Sequence, residues 1–177
     1  AASGAPGLPP PGPPEVESRG GQVSPLQALI DRASPGDRIV VPEGTYEGDL
    51  VIDRPIALVG TGRPLLLGSG AGSVVRVRAA DVSIEGFDID GRGGGDLGQD
   101  TSGIHIDAPR ARVTDCHIRQ TLFGIYLREA DGAVVERSRI NGLPGRPPGE
   151  IGSGIHVWNT KGFRLEDNVI IEVRDGL

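Results

Sequence analysis

Three stretches of the chain are copies of one another: GIHIDAPRARVTDCHI (103–118), GIYLREADGAVVERSRI (124–140) and GIHVWNTKGFRLEDNVI (154–170). A fainter relative, VVRVRAADVSIEGFDI (74–89), precedes them, and Gly176-Leu177 opens a fifth copy. Repeats of this kind mark a stacked architecture in which each unit buries its apolar face against its neighbours. The copies start at residues 74, 103, 124, 154 and 176, and the two short intervals are 21 and 22 residues. That period is too short for helical-pair repeats, which need roughly 33–47 residues. It suits a coil of about three short strands per turn.

Within GIHI, GIYL and GIHV the aliphatic residues alternate with His105, Tyr126 and His156, which is the signature of strands with one face inward. The two long intervals carry insertions at the same point of the rung, DGRGGGDLGQDTS (90–102) and NGLPGRPPGEIGS (141–153), which are expected as loops on one edge of the stack. The fold expected is therefore all-β, a right-handed parallel β-helix over residues 22–177. A leucine-rich repeat would need a different consensus, and a β-sandwich would not produce aligned copies.

Composition agrees. Of 177 residues 37% are hydrophobic but only 3% aromatic, with no Met, so the core must be Val, Ile, Leu and Ala. The 29 glycines supply the punctuation that many tight turns need. A net charge of −6 argues against nucleic acid as a partner. A single cysteine excludes an internal disulfide framework. Cys116 falls in a rung slot shared with Phe87, Ser138 and Asn168, and reads as a buried, inert thiol. No apolar run is long enough for a membrane span.

Residues 1–21 are rich in Pro and Gly and read as an extended tether. A short helix follows over 25–33, with Pro25 at its first position and Leu26, Leu29 and Ile30 as its apolar stripe. Ser24 and Gln27 have the spacing of a capping box. This helix is expected to cap the N-terminal end of the coil. Four strands are then expected, at 38–41, 50–52, 56–59 and 65–67, before the repeats begin.

The alignment doubles as a map of candidate sites. The second rung position holds Arg76, His105, Tyr126 and His156, and the fourth holds Arg78, Asp107, Arg128 and Trp158. With parallel strands about 4.8 Å apart, these eight side chains tile one outward surface two columns wide. Arg78, His105, Tyr126, His156 and Trp158 are the candidate ligand or partner surface. A catalytic alternative uses His105, Tyr126, His156, Arg76, Arg128 and Asp107: an Arg neutralises a sugar carboxylate while His or Tyr exchanges the proton alpha to it.

His105 and His156 are weak metal candidates, because two rungs separate them by roughly 9–10 Å. Two imidazoles on one ion need their nitrogens about 4 Å apart or less. His117 falls in another strand, and soft ligands for Cu(I) are nearly absent. Asp96 and Asp100 in the first insertion are too sparse for a Ca²⁺ site.

The run LQALIDRASPGDRIVVPEGTYEGDLVIDRPIALVGTG (26–62) resembles the entry of carbohydrate-binding and sugar-hydrolase β-helices, a pectate-lyase-like solenoid. VRAADVSIEGFDIDG (77–91), TLFGIYLREADGAVVERSRING (121–142) and GSGIHVWNTKGFRLEDNVIIEVRDGL (152–177) together resemble the NosD family. The resemblance implies a periplasmic accessory protein, not an enzyme, for maturing the copper centres of nitrous oxide reductase. It implies ABC transporter subunits and a copper chaperone as partners, and it makes copper the relevant metal, although no convincing copper site stands in this chain. Family members are longer, so the chain reads as the N-terminal part of a longer solenoid.

Overall fold

The structure is a computed structural model that describes residues 24–95 and 97–177. The expected tether over residues 1–21, and Asp96, lie outside the described residues.

Short strands coil into three parallel sheets. The first stacks Arg38–Val41, Ala57–Gly60, Ser83–Glu85, Arg112–Thr114, Val134–Glu136 and Arg164–Glu166. The second stacks Thr45–Glu47, Leu65–Leu67, Asp88–Asp90, His117–Arg119, Arg139–Asn141 and Val169–Ile171. The third stacks Leu50–Ile52, Val75–Val77, Ser102–Ile106, Phe123–Arg128 and Ile155–Trp158. Each of the first five turns contributes one strand to each sheet and the last contributes to two, so the chain is the parallel β-solenoid that the repeats predict.

The register explains the repeat. Leu58, Ile84, Val113 and Val135 stack as one inward column, and Leu66, Ile89, Ile118 and Ile140 as another. Val75, Ile104, Ile125 and Ile155 form a third. All of these side chains are buried. Because each rung packs like on like, branched aliphatics fill the interior without aromatic bulk.

The shared slot is a polar ladder at its later end. The Cys116 amide donates to Ser138 Oγ, the Ser138 amide donates to Asn168 Oδ1, and the Asn168 amide group donates to the Val135 carbonyl. Burial pushes the Cys116 thiol up to about 12, so the nucleophilic thiolate is not formed at neutral pH.

Three details of the N-terminal end differ from expectation. The helix runs over Pro25–Arg32 and buries Leu26 and Ile30, but Leu29 is exposed. No capping box forms: Ser24 makes no side-chain cap, and Gln27 instead clasps the strand Leu50–Ile52. Its carbonyl accepts from the Val51 amide at 2.8 Å while its amide donates to the Val51 carbonyl at 3.0 Å. Satisfying both polar groups of an end-strand residue outweighs one cap. Gln27→Ala is therefore expected to cost about 1–2 kcal/mol in urea unfolding, and an unchanged midpoint would refute this clasp.

A strand at Thr45–Glu47 was not expected either. Gly44 and Gly48 flank it and give it the look of a turn, while only Tyr46 among its residues is partly buried.

Candidate functional site

The outward face of the third sheet is ordered as the repeats predict, and differs from expectation in its exposure. Arg76 pairs with His105, His105 with Tyr126 and Tyr126 with His156 across adjacent strands, while Arg128 pairs with Trp158. The rings of His105 and Tyr126 stack with centroids 4.8 Å apart, and those of Tyr126 and His156 lie 4.7 Å apart. Yet His105 is 1% and Tyr126 7% exposed. These residues point away from the coil but not into solvent.

The two insertions cover them. Leu143 of the second insertion packs with Leu122, Phe123 and Tyr126 in a small apolar cluster of its own outside the main core. Phe123 sets its ring edge against Tyr126 at 5.5 Å and also meets His156 at 5.2 Å. The insertions are tied together, because the Arg146 guanidinium donates to the Gly93 carbonyl at 2.7 Å. The sequence places both loops on one edge but does not foretell this roof, since Leu143 and Arg146 lie in segments without periodicity. The hydrophobic Leu122-Phe123 pair just before the GIYL strand is the signal that could have found it.

Asp107 is the electrostatic hub. Its carboxylate accepts from Arg76 Nε at 2.9 Å and from Arg128 Nε at 2.7 Å, and His105 Nε2 lies 3.1 Å away. In the neutral ring Nε2 then carries the proton and donates it to the carboxylate. His105 Nδ1 is buried with no hydrogen-bond partner among the described residues.

Burial lowers the His105 pKa below its ordinary value, with Asp107 opposing and the Arg76 and Arg128 charges adding to the shift. Burial alone would raise Asp107, but the hydrogen bond from Arg76 and the neighbouring positive groups outweigh it, so its carboxyl sits lower than usual. Tyr126 is raised, chiefly by burial, and stays a phenol at neutral pH.

A pH dependence follows. A histidine with a lowered folded pKa binds fewer protons folded than unfolded, so its contribution is full above 6.5 and lost as the pH falls below it. Asp107, lowered from 3.8, loses its contribution only at more acidic pH. Thermal unfolding compared at about pH 7.5 and about pH 5.5 should show a drop that His105→Asn diminishes. An unchanged drop in the variant would contradict this assignment.

Beside the hub lies an open groove of about 560 Å³, lined by Asp100, Asp107, Tyr126, Arg128, Glu129 and Trp158. Trp158 is 51% exposed and stands at the edge of the ring stack without joining it. Arg78 is exposed at the end of the strand Val75–Val77, away from the groove lining. His117 lies in the second sheet, 3.5 Å from Asp88.

The two candidate metal ligands do not converge. Tyr126 is sandwiched between His105 and His156, and His105 Nε2 is committed to Asp107. Among the described residues no group of three or more His, Cys, Asp or Glu side chains gathers to hold a metal ion. His105 and His156 thus meet opposite faces of the Tyr126 ring and do not face one another.

No family model matches the chain. Among curated proteins it is 36% identical over 87 residues to a "Probable ABC transporter binding protein NosD" of Pseudomonas aeruginosa, an alignment covering 49% of this chain and 79% of that one. The chain belongs to the NosD family. It is also 29% identical over 138 residues to the protein of that name from Stutzerimonas stutzeri, covering 77% of this chain and 31% of the relative. A second NosD of Pseudomonas aeruginosa is 29% identical over 157 residues, or 88% of this chain and 36% of the relative. The chain thus spans about a third of the length of these two NosD proteins. Among the described residues no helix is long and apolar enough to cross a membrane.

Proposed function

We propose that this chain forms part of a periplasmic accessory protein for copper delivery to, and maturation of, nitrous oxide reductase. It acts through protein–protein contacts with ABC transporter subunits and a copper chaperone, and copper is cargo of the system. The observation that carries this reading is the match to NosD relatives named as probable ABC transporter binding proteins.

The geometry of the outward column supports contact over turnover. A lyase or epimerase built on His105, Tyr126, His156, Arg76, Arg128 and Asp107 would need a base within reach of substrate and an arginine free for its carboxylate. Here His105 is buried and bonded to Asp107, Tyr126 is roofed, and both arginines already hold Asp107. What remains open is Trp158 with the groove beside it, a binding feature with an aromatic anchor.

The test compares two properties of the purified protein. It should bind the isolated transporter subunits in a direct binding measurement and release no unsaturated product from uronic-acid polymers. Turnover of such a polymer, lost in His156→Ala, would replace this reading with the carbohydrate-active one.

A further inference from the structure

We propose that the groove beside Trp158 docks an arginine-bearing, extended segment of a partner protein. The inference deepens the reading of this chain as a partner-binding protein and rests on it. Three carboxylates line the groove, those of Asp100, Asp107 and Glu129, against one guanidinium, that of Arg128. Arg128 and Arg76 both hold the Asp107 carboxylate, at 2.7 Å and 2.9 Å, so the three carboxylates and two guanidiniums together leave one net negative charge. Asp100 and Glu129 have no ion-pair partner among the described residues, so the mouth of the groove carries unspent negative charge.

Trp158 supplies the second element. It is the only tryptophan of the chain, lies beside Arg128 in register, and leaves about half of its surface open. An indole face next to carboxylates matches a guanidinium in two ways. The cation stacks on the ring, and its planar fork donates in parallel to carboxylate oxygens. Lysine offers a point charge without the fork, and is expected to bind more weakly. The net charge of −6 steers a basic segment toward the protein as a whole. A polyuronate would instead meet Asp100 and Glu129 as like charges.

The groove walls are firm enough to discriminate. Tyr126 is held between two histidine rings, and Asp107 is fixed by three partners. Little ordering is needed on this side, so the contact favours a partner segment that is itself extended.

Because Trp158 is the sole indole, its fluorescence reports occupancy directly. The experiment titrates the protein with a short peptide of alternating Arg and Gly, and with Lys/Gly, Glu/Gly and neutral cello-oligosaccharide probes. The Arg/Gly peptide should change the emission, with the Lys/Gly peptide weaker and the other two silent. Raising the salt should weaken binding, and Asp100→Asn with Glu129→Gln should weaken it about tenfold or more without moving the melting temperature.

A silent Arg/Gly titration overturns the proposal, as does an equal response to Glu/Gly. A response to the oligosaccharide alone replaces it with a sugar site. The outcome is separable from the functional reading. Failure of the titration with reductase maturation still dependent on the protein removes the groove assignment only. Binding of the peptide without that dependence removes the maturation role instead.

Discussion

Replacing Gly124 by Ala is expected to lower unfolding stability by about 3 kcal/mol, at the upper end of what overpacking costs. A Cβ at this position would overlap Ile140 Cγ2 and come within 2.5 Å of the Gly154 carbonyl oxygen. Neither neighbour can yield cheaply. Ile140 stands in an inward column between rungs, and Gly154 is the backbone of the next copy. Gly103 meets the same constraint, since an added Cβ would overlap Ile118 Cγ2 and lie 2.8 Å from the Gly124 carbonyl oxygen, and Gly154 repeats it against Ile170. The glycine that opens the copies at 103, 124 and 154 is thus set by the close approach of successive rungs. Gly149→Ala is the control, since nothing lies within 4 Å of an added Cβ there. Equal urea midpoints for the two variants would overturn this account of the repeat.

The second large effect concerns Asp107. Asp107→Ala should cost about 2–3 kcal/mol in urea unfolding. The loss leaves Arg76 and Arg128 facing one another without their shared acceptor and His105 Nε2 without a partner. The value falls short of a fully buried pair because the two guanidinium side chains are 34% and 40% exposed. Since the two arginines bridge three rungs to one carboxylate, Arg76→Met combined with Asp107→Ala should cost less than the sum of the single changes. A loss below about 0.5 kcal/mol for Asp107→Ala would show that the hub contributes nothing to the fold.

The sequence made the coil legible because a solenoid repeats its constraints. The Gly-Ile-x-aliphatic copies register the inward columns, and they correctly align Arg76, His105, Tyr126 and His156 across four strands. The burial of His105 and Tyr126 was not legible, because it depends on two aperiodic loops. Leu143 and Arg146 carry no repeat signal, yet they close the roof and link the loops. Gln27 shows the same limit at smaller scale. Its spacing from Ser24 suits a local cap, whereas its partner lies 24 residues away at Val51. Local patterns report neighbours in sequence, and these residues are decided by neighbours in space.

One consequence for function follows from the roof. With the rings stacked on one another and both arginines bonded to Asp107 beneath it, a column with the composition of a catalytic site becomes a firm wall beside an open groove. The exposed aromatic and the groove carboxylates are then the groups left for recognition.

The most direct test of the proposed role is the copper content of nitrous oxide reductase purified from cells lacking the gene for this protein, with and without its restoration. The expected result is a reductase deficient in copper that regains it on complementation. A fully copper-loaded reductase from the deletion strain would contradict the account.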